Sequence, residues 1–174
     1  MRLNVAIISL IIFPVSVWAQ DTITFQGKRI PQVTIQDAKG NNYNTAEMSN
    51  DGKPFVVVFW KTCCKPPLRE LSALNDVYDD WKEQTGVKIY AVAIDDARSS
   101  KTVKPFVDGQ SWEFEVLLDV NQDLKRSMNV YGVPHTFVLN GSGEIVGQKL
   151  LYSEGDENDI LEMIRKTLPI IKPK

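Results

Sequence analysis

Three stretches of the chain are almost wholly apolar and are typical of strands that are buried on both faces. Residues 55–60 and 87–94 are rich in β-branched and aromatic side chains, and residues 115–118 form a shorter run of the same kind. Strands of a parallel sheet have this composition when helices cover both faces of the sheet. The pattern therefore predicts three core strands at these positions.

Between the predicted strands, apolar residues recur three or four positions apart, which is the spacing of one helical face. The longest such stretch covers roughly residues 65–85, and Gly86 is a residue type that commonly ends a helix. The other predicted elements are a short helix around 103–107 capped by Ser99 or Ser100, a helix at 122–128, a hairpin of strands 136–139 and 144–150, and a last helix near 157–168.

The first residues of the chain have the pattern of a secretory signal peptide. Arg2 precedes an apolar stretch at 3–13, and Val17 and Ala19 suit the small-residue positions before a cleavage site. The apolar stretch is shorter than the roughly 20 residues that a membrane-spanning helix needs. We therefore predict a signal peptide at 1–19, no stable membrane span after its removal, and a periplasmic or secreted protein.

The order of the predicted elements indicates a single α/β domain at residues 20–174. Strands and helices alternate before a closing hairpin and helix, which predicts a central mixed β-sheet flanked by helices. Residues 21–53 are polar, with short apolar alternations around a turn at 40–42. This region predicts an N-terminal pair of short strands.

The charge and the motif content of the chain exclude several classes of function. The 20 basic and 22 acidic residues are interspersed, so the chain has no basic stripe for nucleic acid. The sequence has no glycine-rich phosphate loop and no zinc-type spacing of cysteine and histidine, so no cofactor is predicted. The chemistry of the chain is therefore expected at its cysteines.

Both cysteines, Cys63 and Cys64, stand side by side where the first core strand gives way to the long helix. The free backbone amides and the dipole at a helix start favour a thiolate. Adjacent Cα atoms lie about 3.8 Å apart, whereas ordinary disulfides span roughly 4.4 to 6.8 Å. A disulfide between these two residues is therefore predicted to be strained and easily reduced.

Residues around the cysteines have opposing effects on the pKa of a thiol. Pro66 and Pro67 lack the N–H groups that would stabilise a thiolate, whereas Lys61 and Lys65 supply positive charge. Lowering the pKa from about 8.5 to about 7 needs only roughly 2 kcal/mol, which the lysines and the helix dipole can provide. The sequence leaves the reactivity of Cys64 open.

The run 59–67 and the tripeptide Gly-Val-Pro at 132–134 carry a family resemblance. The run resembles the Phe-Trp-Ala-Thr-Trp-Cys-x-Pro-Cys motif of exported TlpA/ResA-type thiol–disulfide oxidoreductases, which belong to the thioredoxin superfamily. The resemblance implies a thioredoxin-like fold over nearly the whole mature chain, with an extra segment inserted between residues 97 and 115 before the third core strand. The matching residues are Phe59, Trp60, Thr62, Cys64 and Pro66, and the differing residues are Lys61, Cys63 and Pro67.

The resemblance also implies roles for individual residues. Cys64 matches the attacking cysteine, and Pro67 replaces the second cysteine of the motif. Pro134 matches the cis-proline of the family, and Val133 before it would offer backbone groups to an extended substrate peptide. The residues expected to shape the cleft are Trp60, Pro66, Val133, Pro134 and His135.

The proton acceptor of the thiol is not evident from the sequence. Thioredoxins place a buried acidic residue two positions before the tryptophan, and here Val58 stands at that position. Glu113 and Glu115 are the candidates for this role, although surface positions are the simpler expectation for both. Asp95 and Asp96 follow the second core strand, and we expect them to form a solvated turn.

The aromatic residues and the histidine have structural alternatives to a functional role. We expect Trp60 to form a flat wall of the cleft, and we assign Trp81 and Trp112 to core packing. His135 is the only histidine of the chain. We expect it to be a loop residue beside the cleft rather than a metal ligand.

Three functions are compatible with the sequence. The favoured function is thiol–disulfide exchange, of the reductase or isomerase type, on exported proteins or peptides. Cys64 would be the nucleophile, and Cys63 or an external thiol or electron donor would resolve the mixed disulfide. The alternatives are a redox-inactive domain that binds peptides or partner proteins, and a Cu(I) site of Cys63, Cys64 and His135, since thiolates bind soft metals. Because Pro67 takes the resolving position, we expect poor activity in a general dithiol reductase assay.

Overall fold

The computed structural model describes residues 27–169, and the predicted signal peptide at 1–19 lies outside them. Within the described residues, seven strands form one sheet that is accompanied by four α-helices. The strands are β1 (Thr34–Asp37), β2 (Asn42–Asn44), β3 (Phe55–Trp60), β4 (Lys88–Ala93), β5 (Glu115–Leu118), β6 (His135–Leu139) and β7 (Ile145–Leu150). The helices are α1 (Lys65–Thr85), α2 (Val103–Asp108), α3 (Asp123–Ser127) and α4 (Asp156–Lys166), with 3₁₀ turns at Thr45–Glu47 and Ser100–Thr102.

The sheet has the strand order β2-β1-β5-β4-β3-β6-β7. The three central strands β5, β4 and β3 run parallel, and every other pair of neighbours is antiparallel. The central strands are the three apolar runs of the sequence, because helices or loops cover both of their faces. The mixed sheet and the N-terminal strand pair confirm the predicted fold class.

Successive residues of the central strands face two separate hydrophobic cores, because side chains alternate across a strand. The first core contains Val58 and Trp60 of β3 together with the apolar residues of α1 and α4. The second core lies on the opposite face and contains Phe59, Phe137 and Leu124 of α3. This division determines which candidate site residues can meet.

Helix α1 has the bounds 65–85 that its spacing predicts. Leu71, Leu74 and Trp81 form part of an apolar stripe that is buried in the first core. The helix ends at Gly86, which has a φ of 67° and a left-handed conformation that glycine adopts without steric cost. Burial of the stripe fixes α1 against the sheet, and its first turn therefore has a defined position at the end of β3.

Two of the local differences from the predicted elements have an identifiable cause. Strand β6 begins at His135 rather than at residue 136, because His135 pairs with Leu150 in the hairpin. Neither Ser99 nor Ser100 caps the short helix with its side chain. The hydroxyl of Ser99 donates instead to the carboxylate of Asp96 at 3.0 Å, so it is occupied by the preceding turn.

Candidate active site

The two cysteines lie on the turn between β3 and α1. Cys64 is the N-cap residue of α1 and has extended backbone angles, and its N–H donates to the carbonyl of Lys61 at 3.2 Å. Cys63 is exposed and Cys64 is partly buried. Both thiols are free, and their Sγ atoms lie 3.5 Å apart. The turn therefore presents two unbonded sulfur atoms in contact at the protein surface.

The start of this turn is held by a buried carboxylate. The Thr62 N–H donates to Asp95 Oδ2 at 3.1 Å, and the Thr62 hydroxyl donates to Asp95 Oδ1 at 2.5 Å. Asp95 is buried, so the expectation that it lies in a solvated turn is wrong. Asp96 does form an exposed turn, in which its carboxylate accepts from the N–H groups of Arg98 and Ser99. The two bonds from Thr62 compensate for the burial of the Asp95 carboxylate.

The loop before β6 lies beside the end of β3. The antiparallel register pairs Phe59 with His135, so the residue before His135 lies next to Trp60. That residue is Pro134, and the Val133–Pro134 peptide bond is cis. Pro134 is buried, and its carbonyl accepts from the N–H of Leu151 at 2.9 Å. The register therefore brings the cis-proline loop to the same end of the sheet as the cysteine turn.

The surroundings of Cys64 raise the pKa of its thiol. The largest cause is burial, which disfavours the charged thiolate, followed by the hydrogen bond and the charge of Cys63. Asp95 adds a smaller contribution in the same direction, and the positive charge of Lys61 opposes them. The charge of Lys61 lowers the pKa as expected, but its effect is smaller than that of burial, so the net shift of the Cys64 pKa is upward.

Trp60 is a core residue and does not form a wall of the cleft. Its side chain is fully buried and lies in the first core, with ring centroids 5.8 Å from Phe106 and 5.5 Å from Trp112. The reason is that Trp60 still belongs to β3, whose residues are covered on both faces. Trp81 and Trp112 pack in the same core, which confirms their assignment to packing.

The two prolines at the start of α1 have different surroundings. Pro66 is exposed beside the cysteines, whereas Pro67 is buried against the protein interior. Pro67 stands where a second cysteine would stand in the Cys-x-Pro-Cys motif. The position of the usual resolving thiol is therefore filled by an inert side chain.

His135 is buried and points away from α1. Its Nε2 lies 3.0 Å from Gln148 Oε1, and its ring stacks on Phe137 with a centroid distance of 4.2 Å. Phe137 belongs to the second core, whereas α1 packs on the first core. Burial lowers the pKa of His135, which favours the neutral imidazole. The expectation of a loop histidine is wrong, because the residue begins β6.

The proposed Cu(I) ligand set is not assembled. Among residues 27–169, no group of three or more histidine, cysteine, aspartate or glutamate side chains is arranged to hold a metal ion. His135 instead lines a cavity of about 560 Å³ on the face of the second core, together with Phe137, Gln148, Leu150 and Tyr131. The cysteines do not line this cavity.

Glu70 is a buried carboxyl that sequence reasoning missed. The hydroxyl of Thr136 donates to Glu70 Oε1 at 2.7 Å, and Oε2 has no hydrogen-bond partner in the described part of the chain. Burial raises the pKa of Glu70 to about 7, with a further contribution from Asp156. Glu70 lies one helical turn after Pro67 on the buried face of α1. The sequence signal for this buried carboxyl is a charged residue at a position of the apolar stripe of α1.

Glu113 and Glu115, the acceptors considered from the sequence, are engaged elsewhere. Glu113 forms an ion pair with Lys82 of α1, and Glu115 forms an ion pair with Lys88 at 2.6 Å. Glu115 also lies opposite Tyr90 at the beginning of β5, far along the strand from the end that faces the cysteines. Neither carboxylate belongs to the cysteine turn.

Comparison with known proteins places the chain in a family. The sequence pattern of the AhpC/TSA family matches residues 26–148, which is more than half of the chain. The chain belongs to the AhpC/TSA family. A thioredoxin-like protein from Porphyromonas gingivalis, solved in solution, is 43% identical and superposes with a TM-score of 0.72 over 79% of this chain and 90% of that chain. The thioredoxin-like fold and the resemblance seen in the sequence are thereby confirmed.

Relatives of this AhpC/TSA chain include proteins named thiol-disulfide oxidoreductase ResA. The protein of this name from Halalkalibacterium halodurans is 28% identical over 178 residues, which cover 100% of this chain and 95% of the relative. The protein of this name from Bacillus thuringiensis strain Al Hakam is 28% identical over 143 residues, or 82% of this chain and 79% of the relative. These names support the general prediction of thiol–disulfide chemistry.

Proposed function

We propose that the protein carries out thiol–disulfide exchange on proteins or peptides outside the cytoplasm, with Cys64 as the nucleophile. The observation that carries this proposal is the pair of free, accessible thiols on the β3–α1 turn, at the sheet end where the loop of Val133 and Pro134 also lies. The names of the relatives agree with this chemistry.

The reaction begins with the Cys64 thiolate. It attacks one sulfur of a substrate disulfide, forms a mixed disulfide with that sulfur, and releases the other substrate sulfur as a thiolate. Because burial raises the pKa of Cys64, the thiolate is a minor form at neutral pH. A thiolate of high pKa is, however, intrinsically the stronger nucleophile, which offsets part of this loss.

Glu70 is our candidate for proton exchange during this reaction. Its pKa of about 7 means that the carboxyl both accepts and donates a proton near neutral pH. Its bond to Thr136 links α1 to β6 two residues after Pro134. The free Oε2 leaves one oxygen of the carboxyl available for a proton.

The peptide substrate is proposed to lie in extended form along the backbone of Val133, between Pro134 and the exposed Pro66. Val133 is partly buried and packs against the second core, which holds this loop in place. Trp60 and His135 are both buried, Trp60 on the face of the first core and His135 on the face of the second core. Their role is to support the β3 end and the β6 start rather than to contact substrate.

Export is proposed from the N-terminal pattern of a basic residue, a short apolar stretch and small residues near Ala19. In the portion of the chain that the structure covers, every helix is too short or too polar to cross a bilayer. An external thiol or electron donor would return the protein to its reduced form.

Trapping of mixed disulfides tests the proposed function. The reduced protein is incubated with extracellular proteins that contain disulfides, quenched with acid, and separated without reductant. We expect wild type to form adducts through Cys64 and the Cys64→Ser variant to lose them, because the attacking sulfur is removed. Equal trapping by wild type and Cys64→Ser would contradict the proposal.

A redox-inactive binding domain is the second candidate function, favoured by the inert Pro67 at the resolving position. It predicts that a Cys63→Ser, Cys64→Ser double variant retains every partner of wild type in a pull-down under reducing conditions. Loss of all partners from the double variant would exclude this candidate.

A further inference from the structure

The chain needs another route to release a substrate that is bound to Cys64. In a Cys-x-Pro-Cys site the second cysteine, one helical turn away, attacks the mixed disulfide. Here that position holds the buried Pro67, which has no nucleophilic atom. The chain contains one other cysteine, Cys63, and its sulfur already lies 3.5 Å from the sulfur of Cys64.

The geometry of the turn allows these two sulfur atoms to react. A disulfide bond is about 2.05 Å long, so the sulfur atoms must approach by roughly 1.5 Å. Cys63 is exposed, so rotation of its side chain is not opposed by packing. Thr62, which precedes Cys63, is held by two hydrogen bonds to Asp95. These bonds keep the turn in position while the cysteine side chains move.

We infer that Cys63 is the thiol that releases substrate from Cys64 by closing a disulfide between adjacent residues. This inference rests on the proposed function, since it needs a mixed disulfide at Cys64. The Cys63 thiolate attacks the Sγ of Cys64, the bond between Cys64 and the substrate sulfur breaks, and the substrate leaves as a thiolate that takes up a proton. The protein thereby loses two electrons, and the substrate disulfide gains them.

The product of this step is a strained ring. Adjacent Cα atoms are about 3.8 Å apart, which is less than the roughly 4.4 to 6.8 Å of ordinary disulfides. Strained disulfides are more oxidising than relaxed ones, so the ring is readily reduced. Two molecules of a small monothiol restore the dithiol, one by attacking the ring and one by attacking the resulting mixed disulfide, and they leave as their own disulfide.

The strain also determines the substrate class. When the protein reduces a substrate disulfide, the Cys63–Cys64 ring forms at the same time. The exchange is unfavourable when the substrate is a stable structural disulfide, because a stable bond is then replaced by a strained one. Disulfides that are themselves easily reduced, such as a mixed disulfide between a cysteine and a small thiol, can drive formation of the ring. The Cys63–Cys64 pair is therefore suited to removing small thiols from protein cysteines and to rearranging wrong disulfides.

Reaction with oxidised glutathione tests the inference. The fully reduced protein is mixed with a stoichiometric amount of glutathione disulfide, and released glutathione and the intact protein mass are followed over time. For wild type we expect a transient glutathione adduct on Cys64, then two glutathione molecules released per protein and a final mass lower by two hydrogen atoms. For Cys63→Ser we expect one glutathione released and a lasting adduct on Cys64.

The outcomes separate this inference from the proposed function. A lasting adduct on Cys64 in wild type, equal to that of Cys63→Ser, would overturn the release role of Cys63 and leave Cys64 as the nucleophile. Absence of any adduct on Cys64 in both proteins would overturn the proposed function and the inference with it. Because Cys63 is exposed, the serine variant is expected to fold as wild type does.

Discussion

Thr62 is bound to Asp95 by two hydrogen bonds, from its backbone N–H and from its hydroxyl. The two residues are 33 positions apart in the chain. Asp95 lies two residues after the end of β4, and Thr62 directly precedes the cysteines. The bonds therefore attach the reactive turn to the neighbouring central strand, and they place a buried negative charge close to Cys64.

Substitutions at these two residues separate the contribution of the hydrogen bonds to stability from the effect of the Asp95 charge on the pKa of Cys64. Thr62→Val and Asp95→Asn should each lower the free energy of unfolding by about 1–3 kcal/mol, because a buried hydrogen-bonding group loses a partner. Only Asp95→Asn should also lower the pKa of Cys64 and speed its alkylation at pH 7, since only it removes the negative charge. Urea denaturation and timed alkylation measure the two effects. Equal alkylation of the two variants would contradict the role of the charge.

Glu70 gives stability a defined dependence on pH. In the unfolded chain its carboxyl ionises near pH 4.5, whereas in the folded protein its pKa is about 7. Between these values the folded state binds more protons than the unfolded state, so the contribution of Glu70 to stability falls as pH rises. The fall is complete above pH 7 and amounts to on the order of 3 kcal/mol.

The Glu70→Gln variant should remove this dependence, because its amide keeps the acceptor for Thr136 and cannot ionise. We expect its free energy of unfolding, relative to wild type, to be higher at pH 8 than at pH 5. Urea denaturation at the two pH values measures the difference. Glu113→Gln is the control, since it makes the same chemical change at an exposed side chain rather than in the core. Parallel behaviour of the two variants would refute the assigned titration of Glu70.

Pro67→Cys should restore a conventional resolving thiol. The new sulfur would lie one helical turn after Cys64, and intramolecular attack by a positioned group is much faster than attack by an external thiol. We expect activity in a general dithiol reductase assay to rise by about tenfold or more. Pro67→Ala is the matched control, because it restores the backbone N–H without a thiol. An equal gain in both variants would attribute the effect to the helix amide instead.

The sequence predicts the elements of this fold well where one local pattern determines them. The apolar run 55–60 and the spaced apolar residues of 65–85 each define an element without reference to the rest of the chain. The site depends on contacts between distant segments, which no local pattern contains. Asp95 was misassigned because Asp-Asp after a strand resembles a solvated turn until its bonds to Thr62 are known.

The errors at Trp60 and His135 have a common cause. A resemblance assigns residues to the neighbourhood of a site but does not state which face of a strand each occupies. Trp60 is fully buried in the first core, and His135 is buried on the face of the second core, opposite the face on which α1 packs. Glu70 was missed for the opposite reason, because a glutamate in a long helix is usually exposed.

The most direct test of the central claim is the pH dependence of Cys64 alkylation in the native wild-type protein. Iodoacetamide is applied from pH 6 to pH 10, and peptide mapping by mass spectrometry separates modification of Cys64 from that of Cys63. The account predicts that Cys64 reacts in the folded state, with a rate that rises with pH and an apparent pKa above that of an unstructured cysteine peptide. A Cys64 that reacts only after unfolding, or one with an apparent pKa below that of the peptide, would contradict it.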